Sequence, residues 1–284
     1  MKDKALPGIG EDRNGLLDGI RVFALDMDGT VYLGEKWIPG AQEFLARVEA
    51  SGRRFCFLTN NSSKNADVYV DKLARMGLTV SRDQIVTSGQ ATIRYLQDHF
   101  PGKRVFLLGN ELLQAEFTEA GVELSHDHPD VVVTAFDTSL DYAKMCAVCD
   151  HVRAGLPWIA AHPDFNCPTE TGFIPDAGAI HAFIHASTGR MPDLVIGKPN
   201  RGISDYLLER VGSDMGGEKL LPSQIAMVGD RLYTDIAAGN RAGFVSIFVL
   251  SGEASLEDAQ RAAAEGNEEQ IPDLVFPSVA EIPV

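Results

Sequence analysis

The stretch Ile20-Arg21-Val22-Phe23-Ala24-Leu25-Asp26-Met27-Asp28-Gly29-Thr30 decides the fold. Ile20–Leu25 is short and almost continuously apolar, the pattern of a strand buried on both faces. It ends on two aspartates spaced i, i+2, followed by a glycine. Side chains two apart on a strand point the same way, so both carboxylates can face the crevice above a parallel sheet, the usual ligand site of such folds. There one carboxylate can attack phosphorus while the other protonates the leaving group. Asp-Gly is also ordinary turn and cap chemistry, and that plainer reading stands beside the catalytic one.

Working outward, Ala41, Phe44, Leu45 and Val48 recur at i, i+3, i+4, i+7, the stripe of a helix facing a core, and Gly52 stops it. Arg54–Leu58 reads as the next strand. Ala66, Tyr69, Leu73 and Met76 give a second helical stripe, closed by Gly77, before a short strand at Ile85–Thr87. Further strands are expected at Arg104–Leu108, Val131–Ala135 and Trp158–Ala161, then a long polar loop, His162–Gly178. A helix (Ala179–Ser187), a strand (Leu194–Ile196) and a helix (Ile203–Val211) follow. Strands at Ile225–Val228 and Val245–Val249, a polar helix at Leu256–Glu265 and a strand at Leu274–Phe276 complete the chain. This alternation predicts an α/β protein with a doubly wound parallel sheet and helices on both faces.

Composition narrows the function. The 284 residues suit about two domains, and 45% hydrophobic with 23% charged residues excludes a disordered chain. Lys and Arg number 25 against 40 Asp and Glu, a net charge of −15. Such a chain lacks the basic footprint of a nucleic-acid binder. No apolar run approaches the ~18 residues of a membrane span, and the first residues show no apolar secretory core. Four cysteines are too few for a disulfide framework. A soluble, cytoplasmic protein with neither a nucleic-acid nor a membrane partner is expected.

Three more motifs follow predicted strands. Leu58-Thr59-Asn60-Asn61-Ser62 offers a hydroxyl and loop N–H groups that suit phosphate oxygens, although it is also common loop chemistry. Gly197-Lys198-Pro199 holds a lysine able to neutralise phosphate, although a single lysine is more often a surface residue. Gly229-Asp230-Arg231-Leu232-Tyr233-Thr234-Asp235 carries two carboxylates suited to Mg²⁺, or to a turn and helix cap. Each is weak alone. Four such loops at four strand ends, in this order, are far harder to obtain by accident.

With DMDGT, LTNNS, GKP and GDRLYTDI in hand, the chain resembles the haloacid dehalogenase superfamily of phosphohydrolases. DMDGTVYLG, LTNNSS and IPDAGAI…IGKP resemble its NagD-type, 4-nitrophenylphosphatase-like branch. The resemblance covers nearly the whole chain. It implies that Asp26 is the nucleophile that becomes an aspartyl-phosphate and that Asp28 is the general acid/base. It implies that Thr59, Asn60 and Asn61 bind phosphate and that Lys198 balances charge there. Mg²⁺ would be held by Asp26, the backbone carbonyl of Asp28, and Asp230, with Asp235 in support. The activity implied is a Mg²⁺-dependent phosphatase on a small phosphorylated metabolite. A phosphomutase on the same core, or a catalytically silent phosphometabolite-binding protein, are the alternatives.

Thr59 and Lys198 are 139 positions apart, against 32 for Lys198 and Asp230. Connections in a minimal doubly wound core are short, so the excess reads as a second domain at 89–193 inserted into a core made of 1–88 and 194–284. The resemblance makes the insert an α/β cap that closes over the site and sets specificity, with a homodimer through the cap as a further expectation. Its polar loop supplies the candidate specificity residues His162, Asp164, Asn166 and Glu170. The branch usually has Asn-Pro-Asp where this chain has His162-Pro163-Asp164. Whether His162 touches substrate or simply hydrogen-bonds in the cap stays open. Cys146 and Cys149, and His181 and His185, lack the partner spacing of metal sites and are read as packing or surface residues.

Overall fold

Residues 4–169, 171–214 and 219–284 are described in a computed structural model of the protein. The opening apolar run folds as β1 (Val22–Leu25), with all four side chains buried. It is followed by β2 (Tyr32–Leu33) and β3 (Lys36–Trp37), β4 (Arg54–Thr59), β5 (Ile85–Thr87), β6 (Val105–Leu108), β7 (Val131–Thr134) and β8 (Trp158–Ala160). Then come β9 (Asn166–Thr169), β10 (Gly172–Pro175), β11 (Leu194–Val195), β12 (Ile225–Gly229), β13 (Val245–Val249) and β14 (Leu274–Phe276). The chain divides into two units, Met1–Thr59, Val70–Val86 and Lys198–Val284 in one, Asn60–Tyr69 and Thr87–Gly197 in the other.

The first unit is built on a parallel six-strand sheet in the order β14-β13-β12-β1-β4-β5. From β1 the chain builds outward through β4 and β5 on one side, and later strands fill the other. That reversal of strand order opens a crevice at the C-terminal end of β1. Register makes the crevice specific: Leu25 lies opposite both Val228 and Phe57, so Asp26, Gly229 and Leu58 emerge at one level. β2 and β3 form a short antiparallel hairpin directly after the aspartate pair. It was not expected, because two-residue strands leave no periodicity to read.

The second unit carries a parallel four-strand sheet, β11-β8-β7-β6. Its core packs Phe106, Val132, Val148, Cys149, Trp158, Ile180 and Ile184 together. Cys149 is therefore core packing. His181 is buried, with Nε2 2.8 Å from the Thr134 hydroxyl, which also accepts the Trp158 indole N–H. Its helix neighbour His185 is instead tied to the Arg190 carbonyl, so the pair forms no metal site. The expected loop His162–Gly178 needs correction, since it contains the antiparallel hairpin β9–β10. All of β10 is exposed and β9 only half covered, so no buried face imposes the alternation by which strands are recognised. The next helix, Ala177–Thr188, starts two residues early because the Asp176 side chain caps it, accepting from the Ala177 N–H. Among the described residues, no helix is long and apolar enough to cross a membrane.

Candidate active site

Asp26 leaves β1 with its backbone N–H still bonded to Val228, which fixes the carboxylate at the mouth of the crevice. Lys198 is buried at its side. Its ammonium donates to Asp26 Oδ1 at 2.5 Å, to Asp235 Oδ1 at 2.7 Å and to the Leu58 carbonyl at 3.0 Å. One cation thus ties together the ends of β1 and β4 and the segment after β12. Asp230 and Asp235 are both buried. The Glu253 N–H donates to Asp230 Oδ2 at 2.7 Å, the Thr30 hydroxyl donates to Asp230 Oδ1, and the Arg231 N–H donates to Asp235 Oδ2.

Asp26, Asp230 and Asp235 each present an oxygen within 4.8 Å of the others. Glycines surround two of these carboxylates. A Cβ on Gly29, whose φ is +89°, or on Gly252 would collide with the Asp230 carboxylate, and one on Gly229 would collide with Asp235. The donors are all carboxylate oxygens, the set that Mg²⁺ takes, and the residues present fit that ion. The Asp28 carboxylate is not part of the cluster; its expected ligand atom was the backbone carbonyl. Asp28 itself is half-buried, and the turn is pinned by the Gly29 N–H donating to the Tyr32 carbonyl.

Electrostatics describe a site short of positive charge. Burial is the largest influence on Asp26 and pushes its carboxyl up; Lys198 opposes this, Asp235 and Asp230 reinforce it, and the group rises to about 8. Burial and then Asp235 lift Asp230 to about 6. For Lys198, burial works against the charge, but Asp235 and Asp26 outweigh it and hold the ammonium above the usual lysine range. The ion pair thus favours the lysine charge without securing the Asp26 charge. Lys198 serves two anions, whereas around Asp26 Lys198 and Arg231 are set against burial and two further carboxylates. A divalent cation among the three oxygens reverses that balance.

Arg231 and the segment Ser251–Glu253, not among the candidates read from the sequence, also bear on the cluster. Arg231 is mostly buried, and its Nε lies 2.9 Å from Glu253 Oε2. Burial disfavours its charge, yet Asp26 first and then Asp235 raise it above the usual arginine range. Tyr233 donates to the other Glu253 oxygen at 2.8 Å, and the Ser251 hydroxyl donates to the Gly29 carbonyl. Arg231 and Tyr233 sit inside the quoted GDRLYTD motif, so a signal was present. Ser251–Glu253 has none, being reached only through the fold.

Thr59 ends β4 and is buried in the first unit. Asn60 and Asn61 belong to the second, where their side chains are engaged. Asn60 Nδ2 donates to Asp164 Oδ1 at 3.0 Å, and Asn61 Oδ1 accepts from the Ser63 N–H and hydroxyl. His162 is fully buried beside the Ser62 hydroxyl, Asp164 is half-buried and Asn166 is exposed. Glu170 lies outside the described residues.

Comparison with known proteins agrees with this geometry. Residues 23–123 match the haloacid dehalogenase-like hydrolase family, and residues 195–282 match a HAD-hydrolase-like family. An acid sugar phosphatase of Staphylococcus aureus (strain MRSA252) is 36% identical over 241 residues, 84% of this chain and 90% of that protein. The crystal structure of a 4-nitrophenylphosphatase from Thermotoga maritima is similar with a TM-score of 0.86 and 44% identity, covering 94% of this chain and 98% of that one. A glycerol phosphate phosphatase from Mycobacterium tuberculosis, solved in complex with magnesium, has a TM-score of 0.83 and 31% identity, covering 94% of this chain and 78% of that one. The chain belongs to the haloacid dehalogenase-like hydrolase family. Within it, the chain falls in the NagD and 4-nitrophenylphosphatase branch, with the four-strand insert as its cap.

Proposed function

We propose that this protein is a Mg²⁺-dependent phosphatase that hydrolyses a small phosphate monoester through an aspartyl-phosphate on Asp26. The observation that carries the reading is the buried Lys198 ammonium shared by Asp26 and Asp235 beside Asp230, at the C-terminal end of β1. Asp26 attacks phosphorus and the ester P–O bond breaks. Asp28 gives its proton to the departing oxygen. Asp28 then takes a proton from the water that attacks the acyl phosphate, which releases inorganic phosphate and restores Asp26. Lys198 and Thr59, with N–H groups of the loop that begins at Thr59, hold the phosphoryl oxygens. Asp26, the Asp28 carbonyl and Asp230 would hold Mg²⁺, supported by Asp235, and the ion would screen these carboxylates from the phosphate dianion and stabilise charge on the transferring group.

The sugar, glycerol and nitrophenyl phosphatases among the similar proteins support a small substrate. In this reading 1–88 and 194–284 perform the chemistry, and 89–193 chooses the substrate through the loop that includes Asp164, Asn166 and Glu170. Phosphate release from 4-nitrophenyl phosphate and from a panel of sugar and polyol phosphates tests it. Mg²⁺-dependent release is expected, with a covalent ³²P label on the acid-quenched wild type and none on Asp26→Asn. Turnover unaffected by exhaustive chelation, or a label that survives in Asp26→Asn, would refute the assignment.

A further inference from the structure

A second cluster of metal-ligating side chains lies within the four-strand unit, built from His162, Asp164 and Asp176. Each presents a donor atom within 4.8 Å of the others. The His162 ring is wholly buried at the end of β8. Its Nε2 lies 3.0 Å from the Ser62 hydroxyl oxygen, which already accepts the Phe136 N–H, and 3.5 Å from Asp176 Oδ1. Its Nδ1 is buried with no hydrogen-bond partner and faces Asp164 Oδ2 at 3.8 Å. That distance is too long for a hydrogen bond. It suits a bridging ion, since two legs of about 2.0–2.2 Å, the lengths found for zinc with nitrogen and oxygen donors, span such a gap.

A metal-binding tautomer is open to the ring, since the Ser62 hydroxyl oxygen can accept the Nε2 proton. With Nε2–H donating to Ser62, Nδ1 carries a lone pair on the side of Asp164 Oδ2. In that tautomer a buried acceptor lies beside a carboxylate, an arrangement that a shared cation would relieve. Metal-bound histidines hold their other ring nitrogen in this manner, through a hydrogen bond to a neighbouring group. The frame is also fixed. The Asp176 N–H donates to the Phe165 carbonyl and the Gly178 N–H to the Asp164 carbonyl, so the backbone holds the two acidic residues in place. Gly178 permits this approach, as a Cβ there would collide with the Pro163 carbonyl.

We propose that His162 Nδ1, Asp164 and Asp176 form a second divalent-cation site, selective for a zinc-class transition ion over Mg²⁺. The selectivity follows from the donors. Imidazole nitrogen with two carboxylates favours zinc and its neighbours, whereas the Asp26 cluster offers oxygen alone. The histidine therefore labels the site. The experiment loads the full chain with one equivalent of Zn²⁺ while excess Mg²⁺ occupies the carboxylate cluster. Zinc-edge X-ray absorption then reads the ligands, and calorimetry reads affinity. The expected result is one imidazole among oxygen donors, with affinity reduced at least about tenfold in His162→Asn and in Asp176→Asn. Asn at 176 still caps the helix, so that variant stays informative if His162→Asn fails to fold. An all-oxygen zinc shell, no zinc uptake, or uptake unchanged in Asp176→Asn would overturn the proposal. None of these readouts depends on phosphatase activity.

Discussion

At the scale of single residues, the proposed reaction divides the site into groups that would act on phosphorus and groups that hold them. Asp26→Asn keeps the shape and removes the proposed nucleophile. Turnover of 4-nitrophenyl phosphate should fall by roughly a thousandfold or more, with an unchanged circular dichroism spectrum. A variant that kept about a tenth of the rate would point to direct attack by hydroxide. Asp28→Asn should separate substrates, because a nitrophenolate leaves without a proton and an alkoxide does not. The loss should therefore be larger on glycerol phosphate than on 4-nitrophenyl phosphate, and equal losses would deny Asp28 the role of acid. Gly29 serves geometry. Its positive φ disfavours any side chain by about 1–2 kcal/mol, and a Cβ would push into Asp230. Gly29→Ala should lower the melting temperature and also raise the Mg²⁺ concentration for half-maximal activity; a variant that melts lower with unchanged Mg²⁺ dependence would separate the turn from the metal site.

At the scale of elements, the segment Ser251–Glu253 acts as a bracket on the cluster. Its backbone binds Asp230, while the Glu253 carboxylate is held by Arg231 and Tyr233. Glu253→Ala should loosen Asp230 and raise the Mg²⁺ concentration for half-maximal activity by about 10–100-fold, the range known for groups that orient ligands, while KM at saturating Mg²⁺ moves little. An unchanged Mg²⁺ titration would show that the bracket is dispensable. On hairpin β9–β10, Asn166→Ala should change the ranking of sugar and polyol phosphates by KM and leave kcat on 4-nitrophenyl phosphate nearly unaltered. A common loss on all substrates would place Asn166 outside specificity. What the sequence disclosed follows the same physics. β1, β4, β12 and β13 were legible because they read as buried apolar runs, the first three of them ending on chemical residues. β9 and β10 were not, because an exposed hairpin has no core to imprint a pattern. Lys198 was legible as a residue, yet its bridging of Asp26 and Asp235 depends on strand order, which local spacing does not encode. Asp176 lies 14 positions beyond His162 and joins it only once the hairpin is formed.

At the scale of the whole molecule, the crowded carboxylates couple folding to pH and to Mg²⁺. Unfolded, Asp26 and Asp230 titrate near 3.8; folded and without metal, they are raised to about 8 and about 6. Between those limits the native state binds more protons, so these groups stabilise the fold at low pH and that contribution is lost as pH rises through 6 and 8. Two buried histidines act in the opposite sense. Burial depresses His162 and His181 from 6.5 to about 3, so the unfolded chain binds more protons below 6.5 and stability climbs with pH until that point. Lys198, held above its usual range, keeps its contribution throughout this window. Above pH 6.5 the histidines no longer contribute a slope, and the acidic cluster alone sets it. In chelator the melting temperature should therefore peak between about pH 6 and 7 and fall by pH 8.5. On the proposed role of the cluster, Mg²⁺ would take its carboxylates in the ionised form, so its stabilisation should grow over the same interval and cancel the fall. Scanning calorimetry at pH 6.5 and 8.5, each with chelator and with Mg²⁺, reads both slopes. In Asp26→Asn the decline in chelator should flatten, because the group raised furthest is gone. A wild-type melting temperature that holds or rises from pH 6.5 to 8.5 in chelator would mean that Lys198 and Arg231 already neutralise the cluster, and that the site does not depend on a divalent ion to relieve its charge.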